Sequence, residues 1–180
     1  MQQLTFTNTL IFGMSIISAL AIVFFPDLYA FGMHRYNYDI WLYHLWIIQF
    51  FSSQLLHWGA VHLFMNMVFI GYFWNAIERL LGYHKMFLFF TLNAIFLWVV
   101  LTFASWGVSV WASGFAMAVL AYYTLQLYSI RHPDYRWWIT ALSLNILIWF
   151  YPGISLIGHL WGAVFWAIFW YGHTWLKKYI

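Results

Sequence analysis

The sequence predicts an all-α, polytopic membrane protein with about six transmembrane helices in a single domain that covers residues 1–180. Of its 180 residues, 66% are hydrophobic, more apolar surface than a compact soluble domain of this length can bury. Only 6% are charged, whereas disordered chains combine low hydrophobicity with high charge. Two thirds of the chain is roughly 120 residues, and one spanning helix needs roughly 20. A soluble globular enzyme and a disordered chain are therefore excluded.

Charged residues, proline and glycine divide the apolar stretches into six spans. Pro26-Asp27 ends the first span, and Pro152-Gly153 ends the fifth. Charged pairs close the second and fourth spans at Glu78-Arg79 and at residues 131–134. The predicted spans are 9–25, 57–77, 86–105, 113–130, 137–151 and 154–175.

The segment 27–54 between the first two spans is mixed in composition. It contains charges but is dense in aromatic residues, among them Trp41, Tyr43 and Trp46. Such rings suit a membrane–water interface. We therefore expect an interfacial loop with short amphipathic helices.

The lysine and arginine positions predict the orientation of the bundle. Of the seven lysine and arginine residues, Arg35 is the only one on its side of the predicted bundle. An excess of positive charge marks the cytoplasmic side, so both termini are predicted to be cytoplasmic. The first span lacks a basic n-region before it and is expected to be retained, and a bacterial inner membrane is the simplest location. The other six are on the opposite side: Arg79 and Lys85 in the predicted loop after span two, Arg131 and Arg136 after span four, and Lys177 and Lys178 after span six.

The chain contains no cysteine, which excludes a disulfide, a cysteine nucleophile and a thiolate metal site. The net charge of +3 is small and does not indicate a nucleic-acid partner. Asn93 and Asn145, within spans three and five, have no partner that the sequence identifies, and packing roles are expected for them.

Polar residues occur near the outer ends of spans two, four and six. Since a helix rises about 1.5 Å per residue, His62, Ser113 and His159 are expected at a similar depth, roughly 5–10 Å below the outer surface. A serine hydroxyl becomes a strong nucleophile when a histidine removes its proton, which suits Ser113 and His159. His62 and Asn66 are four residues apart and share one helix face, from which both can donate to an oxyanion.

Small residues flank the candidate nucleophile and base. Gly158 and Gly162 form a GxxxG around His159, and Gly114 forms a small-xxx-small pair with Ala118. Such residues let helix backbones approach closely in membranes. The pattern predicts that spans four and six pack together.

The motifs on these spans resemble those of the rhomboid family of intramembrane serine proteases. Residues 57–66 (HWGAVHLFMN) are similar to the family's HxxxxHxxxN, and residues 78–82 (ERLLG) resemble the cytoplasmic end of the same helix. Residues 112–114 (ASG) resemble its GxSG, and residues 158–162 (GHLWG) resemble its HxxG. The resemblance extends from about residue 10 to residue 175.

This resemblance implies a Ser–His dyad with Ser113 as nucleophile and His159 as general base. His62, Asn66 and the main-chain N–H of Ser113 would line the oxyanion hole, and His57 would lie near the outer mouth of the cleft. The implied substrates are single-span transmembrane proteins cleaved in or near the lipid bilayer. No metal or cofactor is implied.

The sequence departs from the family pattern at four places, none of which removes a catalytic group. They indicate a divergent branch. Trp111 replaces the first glycine of GxSG, Ile48-Gln49 stand where the family has Trp-Arg, Met117 replaces an aromatic residue one turn after the serine, and Trp166 replaces the second glycine that follows the histidine.

Other membrane functions fit the sequence less well. A metal-dependent protease would contain HExxH, which is absent. An aspartyl protease needs aspartates inside spans, but Asp27, Asp39 and Asp134 lie outside them. A transporter would more often show broken helices near the membrane midplane or intramembrane charges, and the predicted spans contain neither. The serious alternative is an inactive rhomboid-like protein that binds or escorts client transmembrane helices, although such relatives typically lack the serine or the histidine.

Overall fold

The computed structural model describes residues 6–25, 32–57, 59–104, 112–147 and 155–179, and no β-strand forms within these ranges. The predicted all-α class is confirmed. The elements are α1 (Phe6–Phe24), α2 (Tyr36–Asp39), α3 (Tyr43–Leu55), α4 (Gly59–Phe69), a π-helical segment (Ile70–Trp74), α5 (Asn75–Leu81), α6 (Tyr83–Ala104), α7 (Ala112–Ser129), α8 (Tyr135–Leu147) and α9 (Leu156–Tyr179).

Several predicted features lie outside the described residues. They are the Pro26-Asp27 and Pro152-Gly153 turns, the turn beginning at Gly107, Trp58 of the first motif and Trp111.

Three helical stretches are long and apolar enough to cross a membrane. They are Phe6–Phe24, the continuous stretch Gly59–Leu81, and Tyr83–Ala104, and a shorter apolar stretch covers Leu156–Gly172. The three long stretches match predicted spans one to three. Crossing by α7, α8 and α9, and the orientation of the termini, stay predictions.

The second span is longer than predicted, because the charged pair Glu78-Arg79 does not end it. The helix continues to Leu81 and ends at Gly82, whose φ of 80° favours glycine. The placement of Arg79 and Lys85 in a loop was therefore wrong, since they lie in α5 and α6.

A buried carboxylate explains why the helix passes through Glu78. Its two oxygens accept the main-chain N–H groups of Phe6 and Thr7, each at 2.9 Å. These are among the first N–H groups of α1, which have no acceptor within their own helix. The negative charge also offsets the positive end of the α1 dipole. Glu78 therefore joins α5 to the start of α1.

Helix α7 lies at the centre of the bundle. Every residue from Ser113 to Tyr122 is buried, including Met117. A helix buried on all sides has no face left for lipid. It packs against α9, α8, α6 and α4, so the side chains at its N-terminal end face other helices.

The aromatic segment before α4 packs on the bundle instead of lying free at an interface. Trp46 stacks on Trp98 of α6 with ring centroids 3.9 Å apart, and its Nε1 donates to Thr102 Oγ1 at 3.0 Å. Trp41 remains 76% exposed. The predicted short helices are α2 and α3, and Trp46 anchors α3 to α6.

Candidate active site

The main chains of α7 and α9 meet at three glycines. A Cβ atom added to Gly114 would lie 3.0 Å from the Gly158 carbonyl oxygen and 2.8 Å from Leu97 Cδ1. A Cβ atom added to Gly162 would overlap the carbonyl oxygen of Gly114. Only residues without a side chain permit this approach. Ser113 and His159 immediately adjoin two of these glycines, so the structure brings their helices together at the residues singled out from the sequence.

Ser113 is the second residue of α7 and is 7% exposed. Its hydroxyl and main-chain N–H therefore lie at the buried N-terminal end of the described part of α7.

The imidazole of His159 is held by the main chain of α8. His159 is 4% exposed, and its Nδ1 lies 2.8 Å from the carbonyl oxygen of Asn145. A carbonyl oxygen only accepts hydrogen bonds, so Nδ1 donates and Nε2 of the neutral ring carries a lone pair. That tautomer is the one a general base needs.

The Nε2 atom of His159 is buried and has no hydrogen-bond partner among the described residues. It therefore makes no hydrogen bond to the Ser113 hydroxyl in this structure. Catalytic hydrogen bonds of substrate-free enzymes are often long and tighten when substrate binds.

Two further candidates lie on α4. His62 lies in the first half of α4, and its ring packs against that of His57. Asn66, one turn further along the same face, is 6% exposed, and its Nδ2 has no partner within the described part of the chain. Helix α4, which carries this buried amide donor, packs against α7.

His57 joins α1 to the beginning of α4. The Ser18 hydroxyl donates its single hydrogen to the Leu55 carbonyl oxygen, so His57 Nδ1 must donate to Ser18 Oγ, at 2.8 Å. The His57 ring packs edge-on against His62 with centroids 5.3 Å apart. The His57 side chain is fully buried, which suits a role in supporting His62.

Two of the four departures from the family pattern lie on helices that form the site. Met117, one turn after Ser113, is 3% exposed and offers no aromatic face. Trp166 is fully buried, and its ring packs edge-on against Tyr122 with centroids 4.7 Å apart. A large side chain thus fills the space one turn below the glycine contact.

Sequence reasoning missed one contact of His159, the main-chain carbonyl of Asn145, and gave Asn145 only a packing role. All residues carry the same carbonyl, so no residue type could have revealed it.

No group of three or more histidine, aspartate or glutamate side chains in the described ranges is arranged to hold a metal ion. The arrangement offers instead a hydroxyl, an imidazole lone pair and an amide donor. These are the groups that acyl transfer requires.

In a comparison with protein families, the family model described as Rhomboid domain matches residues 44–175. That segment extends from α3 into α9 and contains all the candidate site residues. Comparison with curated proteins gave no match, and neither did comparison with solved structures.

Proposed function

The chain belongs to the rhomboid family of integral membrane proteins, and on that premise we propose that it is an intramembrane serine endopeptidase that cleaves single-span membrane proteins within or near the bilayer. The family consists generally of serine proteases and also contains inactive members. The six-span arrangement with cytoplasmic termini, in a bacterial inner membrane, belongs to the same proposal.

The proposed reaction begins when the Ser113 Oγ attacks the carbonyl carbon of the scissile peptide bond. His159 Nε2 accepts the hydroxyl proton as the C–O bond forms. The negative oxygen of the tetrahedral intermediate receives hydrogen bonds from Asn66 Nδ2, His62 and the Ser113 N–H. The C–N bond then breaks, the leaving amine takes the proton from Nε2, and water hydrolyses the acyl-enzyme by the same steps.

The observation that carries this proposal is a complementary pair of unsatisfied buried atoms. His159 Nε2 is an acceptor and Asn66 Nδ2 is a donor, and neither has a partner in the described structure. Buried polar atoms are almost always hydrogen-bonded, because an unpaired one costs about 1–3 kcal/mol. The two atoms lie on α9 and α4, and both of these helices pack against α7, the helix that carries Ser113. A reacting serine proton and a substrate oxyanion would satisfy both.

The competing function is an inactive rhomboid-like protein that binds or escorts client transmembrane helices. The missing hydrogen bond between Ser113 and His159 is the observation that favours it. Against it, both the serine and the histidine are present, and both are buried beside the glycine contact.

The deciding experiment uses purified protein and a fluorogenic single-span substrate. Ser113→Ala should lower cleavage by at least about a thousandfold. The control is Ser129→Ala at the other end of α7, where an exposed hydroxyl donates only to the Gln126 carbonyl. Persistent cleavage by Ser113→Ala would overturn the dyad.

A serine-reactive phosphonate probe gives a second test that needs no substrate. Labelling should require Ser113 and weaken in His159→Ala. A wild-type protein that neither cleaves nor labels would support the client-binding alternative.

A further inference from the structure

We infer that the main-chain carbonyl of Asn145 is the positioning group for His159, a role that a carboxylate performs in three-residue triads. The inference deepens the proposed function and rests on it for its catalytic meaning. Its structural part concerns which ring nitrogen carries the hydrogen. That question can be answered without any measurement of activity.

The Asn145 carbonyl oxygen lies 2.8 Å from His159 Nδ1, and the described part of α8 extends two residues further, to Leu147. The Asn145 side chain is occupied elsewhere, because its Nδ2 donates to the Ala141 carbonyl at 2.8 Å. The main chain of Asn145, not its amide side chain, therefore faces His159.

The hydrogen bond between His159 and Asn145 is the one polar contact of the described part of α8 with the rest of the bundle. Hydroxyls of Thr140 and Ser143 donate back to carbonyls of their own helix, at 3.0 and 2.9 Å. None of the α8 side chains is buried. Among the described residues, the bond from His159 Nδ1 to Asn145 is the only hydrogen bond that joins α8 to another helix.

The chemistry of the carbonyl suits a general base. Accepting from Nδ1 fixes the hydrogen there and leaves the Nε2 lone pair for the serine proton. When Nε2 takes that proton, the ring becomes cationic and its bond to the carbonyl becomes charge-assisted. One neutral group thus orients the ring and stabilises its protonated form.

The test weakens this acceptor without changing any side chain. An α-hydroxy acid that carries the isoleucine side chain, placed at position 146 in place of Ile146, converts the Asn145 carbonyl into an ester carbonyl, which is a poorer acceptor. The matched control is the same change at position 144, which also removes one helical N–H but alters the Ser143 carbonyl. Asn145→Ala is a second control for the ring tautomer, since it keeps the carbonyl.

The primary readout is ¹⁵N NMR of the imidazole nitrogens at a pH where the ring is neutral, with the His159 signals assigned by their loss in His159→Gln. The wild type and Asn145→Ala should show the hydrogen on Nδ1, and the ester at 146 should show a mixture of both tautomers. A wild-type ring with its hydrogen on Nε2 would overturn the inference.

The second readout is cleavage. The ester at 146 should lower kcat on the order of tenfold with little change in KM, whereas the ester at 144 should behave like the wild type. Equal effects of the two esters on kcat and on the tautomer would show that the Asn145 carbonyl has no special role. If the wild type neither cleaves nor labels, the proposed function fails, and the NMR result still decides the inference.

Discussion

Gly162 of α9 lies directly against the carbonyl group of Gly114 in α7. A methyl group at position 162 would overlap that oxygen, so Gly162→Ala must push the two helices apart. We expect a loss of about 1–3 kcal/mol in the free energy of unfolding. Cleavage should fall as well, because Ser113 and His159 adjoin this contact. Thermal unfolding in detergent and the substrate assay measure the two effects.

Gly172 provides the control for this substitution. It lies on the same helix, and a Cβ atom there would meet nothing within 4 Å. Gly172→Ala should leave stability unchanged or raise it by roughly 0.5–1 kcal/mol. Equal behaviour of the two alanine variants would contradict the close packing of α7 on α9.

Replacement of the buried amide of Asn66 should separate activity from stability. Asn66→Ala removes a donor that has no partner among the described residues, so the free energy of unfolding should stay the same or rise. If the amide stabilises the oxyanion, kcat should fall by about 10²–10³ with a smaller change in KM. Met65→Ala, on the same turn but 50% exposed, is the control. A loss of stability without a loss of kcat would argue for a structural role.

The carboxylate of Glu78 is predicted to stabilise the start of α1. Glu78→Gln keeps one carbonyl oxygen as acceptor but places an NH₂ group against the second N–H of the Phe6–Thr7 pair. The expected loss is about 1–3 kcal/mol in the free energy of unfolding.

Asp39→Asn is the control, because it removes a charge that contributes little to the free energy of unfolding. Asp39 pairs with Arg35 at the surface, and such exposed pairs contribute about 0–1 kcal/mol. A Glu78→Gln protein as stable as Asp39→Asn would refute the capping role of Glu78.

The large side chain of Trp166 should contribute strongly to packing. Trp166 is fully buried, so Trp166→Ala leaves a cavity and should cost about 3–5 kcal/mol. Trp161→Ala on the same helix removes a side chain that is 39% exposed and should cost much less. Chemical denaturation in mixed micelles compares the two. Similar costs would mean that the space around Trp166 collapses readily.

Most of the fold class followed from composition and from local pattern. The all-helical class, the helices for spans one to three and membership of the rhomboid family are all properties of the chain that the sequence predicted and the structure or family match supports. They are predictable because apolar run length and motif spacing are written in consecutive residues. The boundary at Glu78 was predicted wrongly, because a charge normally marks a helix end and here it is buried by pairing with α1.

The candidate site, like the fold, could be predicted only in part. The sequence by itself singled out Ser113, His159, His62 and Asn66, because their residue types and spacing are unusual in apolar spans. Only the tertiary structure placed the Asn145 carbonyl on His159, left Asn66 Nδ2 without a partner among the described residues, and buried Glu78 against the start of α1. The physical reason is that main-chain groups are chemically alike in every residue. Which of them meet a side chain depends on where helices end and how they pack, and those contacts join residues far apart in the chain.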